Sequence, residues 1–262
     1  MKYIDRFKNF LSKDRKDIYD WCVNNNIHGF DIRNERSDLL LVGLINVELV
    51  YLKNMMKELP YKFGKVSTFK CSNLGLETAK NFPLECSYLF CNNNNLTSLK
   101  GIGKVSYQLD CNNNKLTSLD GLSKADISYL DCSNNLLTSL KGMPKVLKKL
   151  DCSYNKIAII NIDNIDDIDI NFYGNPIYEL CSFIFEFYKK DFPINRTTMN
   201  KKNIEILKLL NEYNVIRGNK IMLDYLMEVL YMINTDYKKV MNNKPRASLE
   251  DLYKIEGYEI IK

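Results

Sequence analysis

The chain has 262 residues, 45% of them hydrophobic and 26% charged, with a formal net charge of +5. That is enough apolar material for a sizeable core, and a mild positive balance without a basic, aromatic-interleaved run argues against nucleic acid as the first partner. No apolar stretch approaches the roughly 18–20 residues that span a membrane. The charged start MKYIDRFKNFLSKDRKD lacks the apolar segment of a signal peptide, so a reducing, cytoplasmic setting is expected.

Residues 1–46 read as an N-terminal cap. Tyr3 to Asn24 suits two short helices broken near Ser12-Lys13-Asp14, with Ile18, Trp21 and Cys22 forming an apolar stripe at i, i+3, i+4. Trp21, the single tryptophan, is expected to anchor this cap over the first repeat. Phe30-Asp31-Ile32 and Leu39 to Val42, with Asn34-Glu35-Arg36-Ser37 between them, read as a hairpin. His28, the single histidine, follows Asn24-Asn25-Asn26 in a loop with nothing around it that suggests a catalytic triad.

Residues 47–180 carry a repeat of the form L-x-C-x-x-N-x-L-x-x-L. Its clearest copies are Leu89 to Leu99, Leu109 to Leu119 and Leu130 to Leu140, and Leu150 to Ile160 is looser. Weaker copies extend it to starts at 49, 69, 89, 109, 130, 150 and 170. A period of 20 or 21 residues is the mark of a solenoid in the leucine-rich-repeat length class. Positions 0 and 2 are apolar around a polar residue, which suits a short strand with one buried face. Stacking such strands makes a parallel sheet over one continuous core. Position 5 turns the chain away from the sheet, where its Asn can satisfy backbone groups that no ladder reaches. Positions 7 and 10 return inward. The segments between copies, such as Lys141-Gly142-Met143-Pro144, are too short for full helices and predict turns or 3₁₀ pieces on the convex side, and so tight curvature.

Of the eight cysteines, Cys71, Cys91, Cys111, Cys132 and Cys152 occupy position 2 of consecutive repeats. They read as small buried core residues. Disulfides and a metal cluster are the weaker alternatives, because the side chains point in parallel and no C-x-x-C pair is present. Cys22, Cys86 and Cys181 lie off this row and read as free thiols. Tyr51 and Phe172 replace Cys at the row's ends.

Residues 181–262 read as a helical C-terminal capping module. Tyr178 to Lys190 is a strongly apolar helix, Asn203 to Tyr213 an amphipathic one, Val215 to Ile221 a short turn-containing connection or small hairpin and Leu223 to Ile233 a further helix. The expected fold is therefore an α+β solenoid: a leucine-rich-repeat parallel sheet of about seven strands with an N-terminal cap and a helical C-terminal module.

The L-x-C-x-x-N-N-x-L-T-S-L repeat resembles Asn-rich leucine-rich-repeat proteins encoded by large DNA viruses, notably tailed bacteriophages. Lys62-Phe63-Gly64-Lys65-Val66, Gly174-Asn175-Pro176-Ile177-Tyr178 and the order of parts are similar too, from about Ile18 to Leu230. The chain departs from that pattern at Leu74, where Asn is expected, and between Leu76 and Cys86. The resemblance implies an interaction protein, a virion or host-takeover component in the host cytoplasm or the virion, with no catalytic residues.

In such solenoids the outward strand residues make the concave face. Here Asp110, Asp131 and Asp151 form a carboxylate row at position +1, beside an aromatic group of Tyr88, Phe90 and Tyr129 and the cation Lys149. One reading is a solvated face that keeps the solenoid soluble. The other is a binding face for a protein partner with a basic segment, through Tyr88, Phe90, Asp110, Tyr129, Asp131, Lys149 and Asp151. No catalytic residue, cofactor or metal is expected. The alternative class is a repeat-targeted enzyme with its activity in the C-terminal module, where Cys181 is the one candidate nucleophile and sits in an apolar helix that would leave it inert.

Overall fold

The computed structural model describes residues 13–27, 30–35, 38–42, 46–49, 55–122, 125–160, 168–187, 206–238 and 249–261. The expected helix between Tyr3 and Ser12, His28 and Tyr51 lie outside the described residues. The chain forms a parallel-sheet solenoid. Its seven-stranded sheet runs β10-β9-β8-β7-β6-β5-β3. These strands are β3 (Asn46–Glu48), β5 (Thr68–Lys70), β6 (Glu85–Phe90), β7 (Lys104–Asp110), β8 (Tyr129–Asp131), β9 (Lys149–Asp151) and β10 (Asp169–Asn171). Contacts divide the chain into two compact units, Met1–Cys132 with Gly142–Leu147, and Ser133–Lys141 with Lys148–Lys262.

In the first unit, helix α1 (Lys13–Asn24) precedes a hairpin of β1 (Asp31–Glu35) and β2 (Asp38–Val42), and β4 (Lys62–Phe63) joins β2 in parallel. Ile18 and Cys22 are buried on α1, and Trp21 meets Tyr61 and Phe63 edge-on at 5.5 and 6.5 Å. Phe63 continues the aromatic packing into the repeats, 4.8 Å from Phe69.

The rungs from 69 onward stack in the expected register, with Phe69 opposite Leu89, Leu89 opposite Leu109 and Leu109 opposite Leu130. The first rung is different. Val47, not Leu49, lies opposite Phe69, so the first repeat starts at 47. Leu49 takes the place in the cysteine row that was expected for Tyr51, and its N–H donates to the Lys70 carbonyl as the N–H of Cys71 does to Phe90. A slip of two residues keeps every side chain on its own face, so the apolar alternation could not distinguish the two starts.

Four positions of the repeat are set by the backbone in most rungs. Position 4 has positive φ throughout: Asn73, Asn93, Asn113, Asn134, Tyr154 and Gly174 lie between +50° and +68°. Asn and Gly tolerate this left-handed region best. Position 5 carries a buried asparagine amide that ties two rungs together. Asn94 Oδ1 accepts the N–H groups of Leu74 and Leu76, both at 3.0 Å, and its amide donates to the carbonyls of Cys71 and Cys91 at 2.8 and 3.0 Å. Asn114 repeats this, accepting from Leu96 at 2.9 Å and donating to Cys91 and Cys111 at 3.1 and 3.0 Å. In the second unit Asn155 accepts from Leu137 and Asn175 from Ile157, at 2.9 and 3.0 Å. At position 9 the hydroxyls of Thr78, Ser98, Ser118 and Ser139 each accept the N–H two residues on. Position 12 is held by Gly121, among others. A Cβ there would stand 2.7 Å from the Leu99 carbonyl oxygen, and φ is +114°, so the residue is required twice over.

The row at position 2 is fully inward: Cys71, Cys91, Cys111, Cys132 and Cys152 are 0% exposed, and all eight cysteines are free and buried. Positions 7 and 10 are buried in every described repeat from 69 on except at Leu140, which is half-buried.

In the second unit, α2 (Pro176–Phe187) starts directly after the last strand, with Pro at its first position, where no N–H is missed. A helix over 206–212, here α3, buries Ile206, Leu207 and Leu210, and its Asn211 amide donates to the Ile160 carbonyl at 3.2 Å. The hairpin β11 (Ile216–Arg217) and β12 (Lys220–Met222) leads into α4 (Leu223–Lys238). After the short α5 (Leu249–Leu252) comes β13 (Glu259–Ile261), a strand that sequence reading missed, pairing in parallel with β12. Tyr258 donates its hydroxyl to the Ala158 carbonyl at 2.6 Å, which fixes this end to the last repeats.

Because the Asn114 amide serves two rungs at once, Asn114→Ala leaves the buried Leu96 N–H without its acceptor and takes a donor from each of the Cys91 and Cys111 carbonyls. The expected loss is about 3 kcal/mol or more, read from urea unfolding. A loss below about 1 kcal/mol would contradict the role assigned to this ladder.

Candidate interaction surface

The outward residues of the first unit form two rows in strand register. Thr68, Tyr88, Gln108 and Tyr129 lie opposite one another, and so do Lys70, Phe90, Asp110 and Asp131. Tyr88 and Tyr129 are joined by a residue that sequence reading missed, Tyr107, at centroid distances of 5.1 and 5.3 Å. Counting by twos from buried Leu109 sends position 107 inward. The β6–β7 pairing, however, passes from Cys86/Val105 to Tyr88/Gln108, so β7 holds one extra residue there. This bulge turns Ser106 and Tyr107 outward together, and Tyr107 is 41% exposed. A hydrogen bond with Tyr129 is the main cause of its raised phenol pKa. Phe90 shares the face but makes no ring–ring contact among the described residues.

The carboxylates are built into turns. Asp110 Oδ1 accepts the N–H of Asn112 at 3.2 Å, closing an Asx turn where the strand ends. The Asn112 amide donates in turn to Asp131 Oδ2 at 3.0 Å, so an amide stands between acids that a bare row would leave in repulsion. Asp110 is half-buried, and its carboxyl is pushed up to about 6, mainly by burial. The Asn112 N–H opposes this shift and the Asp131 charge adds to it. At the flank, Lys70 pairs with Glu48 at 2.6 Å.

The remaining expected site residues lie in the second unit. Asp151 accepts the N–H and hydroxyl of Ser153 at 3.0 and 2.6 Å and the Asn171 amide at 2.8 Å. Lys149 is exposed, 4.0 Å from Asp169. This unit has its own aromatic group, in which Tyr173 stands 5.4 Å from Tyr154 and 4.9 Å from Tyr178. Tyr154 holds φ of +52°, which is strained for a bulky residue by about 1–3 kcal/mol. Its ring lies over Gly174, where a Cβ would come within 2.7 Å of it.

Among the described residues no group of three His, Cys, Asp or Glu side chains could hold a metal ion. Burial pushes the thiols of Cys22 and Cys86 up to about 12 and also raises those of Cys71, Cys91, Cys111, Cys152 and Cys181. Two surface pockets of about 290 and 310 Å³ lie in the first unit. The smaller includes Lys65 and Glu85, ion-paired at 2.7 Å, and the larger is lined by Asp14, Asp17, Tyr61 and Lys62. No helix among the described residues is long and apolar enough to cross a membrane. No protein-family model matches the sequence, and no curated protein matches it. The class of protein rests on the fold itself, a parallel-sheet repeat solenoid.

Two outcomes follow from these environments. Asp110 has a folded pKa above its unfolded value of about 4, so the folded chain binds more protons than the unfolded chain between pH 4 and 6. Stability therefore falls as pH rises through that window. Asp110→Asn keeps the turn acceptor and loses the slope: it should match the parent near pH 4 and exceed it at pH 7–8 in urea unfolding. An unchanged pH profile would count against the raised carboxyl. The cysteines should resist alkylation in the native chain at pH 8 over hours, followed by mass spectrometry, and react on denaturation. Rapid native modification of Cys181 would reopen a catalytic role for the C-terminal module.

Proposed function

We propose that the protein is a non-enzymatic interaction module of the Asn-rich leucine-rich-repeat kind, which binds a protein partner on the outward face of its sheet. The observation that carries this reading is the continuous Tyr88–Tyr107–Tyr129 group beside Asp110 and Asp131, presented on strands whose core side is fully buried. Tyr107 is exposed between half-buried Tyr88 and Tyr129, and tyrosines on a rigid scaffold are what protein interfaces concentrate. The buried thiols favour a binding role over catalysis. In this reading the helical elements at each end act as caps. The resemblance to phage repeat proteins makes the host cytoplasm or the virion the natural setting.

Tyr107→Ala removes the middle ring without touching the core. Affinity capture from the native cell, read by quantitative mass spectrometry, should show the partner retained by the parent and reduced at least about tenfold by the variant. Thermal unfolding should be unchanged within about 2 °C. Equal capture by both proteins would remove the outward face from consideration.

A further inference from the structure

The identity of the acids on this face says more than their presence. At position +1 an acceptor can take the N–H two residues on, and Asn171 does so with a neutral amide for Tyr173 at 3.4 Å. The charge on Asp110 is therefore not required by the turn. It is held half-buried beside a second carboxylate, a placement that opposes ionisation. Among the described residues Asp110 has a backbone hydrogen bond but no ion pair. The one lysine of these rows, Lys70, is already matched by Glu48, so Asp110 and Asp131 make the face negative although the chain as a whole carries +5.

We propose, building on the binding role above, that the face of β6, β7 and β8 takes an extended, arginine-bearing segment of a partner protein, whose guanidinium groups lie against Tyr88, Tyr107 and Tyr129 and pair with Asp110 and Asp131. A guanidinium suits both halves of the surface, since it stacks on aromatic rings and offers paired N–H donors to a carboxylate. Tyr129 and Asp131 stand two residues apart on one strand face, roughly 6.6 Å, so a single arginine can meet both. An ammonium meets the charge requirement but has no plane to stack. Nucleic acid fits poorly: its phosphates would face the carboxylates, and rings tilted by 50–59° do not make a flat platform for successive bases.

The test uses the full chain and a fluorescently labelled Gly/Ser peptide of twelve residues with arginine at alternate positions, read by anisotropy at two salt concentrations. Matched peptides carry lysine or citrulline, the latter retaining the planar group without its charge. The arginine peptide should bind about tenfold more tightly than the citrulline peptide and more tightly than the lysine peptide. Tyr107→Ala should weaken it about tenfold and Asp110→Asn several-fold, while Tyr107→Phe retains binding. Equal binding of the arginine and citrulline peptides, or unchanged binding to Tyr107→Ala, overturns the proposal, as does tighter binding of a single-stranded oligonucleotide at the same face. If Tyr107→Ala loses the native partner while the arginine peptide does not bind, the partner class is wrong and the binding face stands. If neither responds to Tyr107→Ala, both fall.

Discussion

The structure depends on the buried asparagine amide at position 5. Where each strand ends and the chain turns, backbone N–H and C=O groups are carried into the core without a sheet partner. Leaving several of them unpaired per rung would cost more than the apolar core could offset. One amide has both an acceptor and two donors, and Asn94, Asn114, Asn155 and Asn175 use both kinds, the acceptor always reaching the rung before. The amide therefore does more than solvate a turn. It links neighbouring rungs, and it sets the orientation in which the leucines at positions 7 and 10 return to the core. The ladder starts with Asn94. One rung earlier Leu74 is buried at the same position, and its own N–H is taken by Asn94.

Around that amide the other repeated letters acquire separate reasons. The asparagine before it is there for its tolerance of positive φ, not for a buried bond. The Ser or Thr at position 9 caps the next turn through its hydroxyl. Glycine at position 12 leaves room for the carbonyl of the rung below. A run such as Asn92-Asn93-Asn94-Asn95 looks like low complexity. In the fold its members have different tasks: Asn93 adopts the left-handed conformation and is exposed, while Asn94 is buried and accepts two N–H groups.

This explains which parts were legible in the sequence. The inward row, the role of position 5, the N-terminal hairpin and the C-terminal helices follow from periodicity and turn chemistry, because those signals act locally. The misses occur where periodicity is blind. Val47/Leu49 and Leu49/Tyr51 have the same alternation, so only strand pairing shows where the first rung begins. The β7 bulge adds a residue without leaving any trace in the 20-residue spacing, and it is what brings Tyr107 to the surface. Strand β13 is three residues long, and it is defined by a partner, β12, almost forty residues away.

The repeats also serve as an internal control for function. Positions bound by the backbone vary little from rung to rung, whereas the outward row at −1 changes through Thr68, Tyr88, Gln108, Tyr129, Lys149 and Asp169. Nothing in the rung geometry calls for a tyrosine at 88, 107 or 129. The carboxylates at +1 are harder to interpret, because the Asx turn explains an acceptor there. Asn171 resolves this ambiguity by making the same turn uncharged. What the turn does not explain is the ionisable group at Asp110, which burial and a neighbouring acid both disfavour. Asp110 thus carries a charge that lowers the stability of the isolated fold and that a neutral residue could replace without loss of the turn, a local conflict of the kind that proteins concentrate at functional sites.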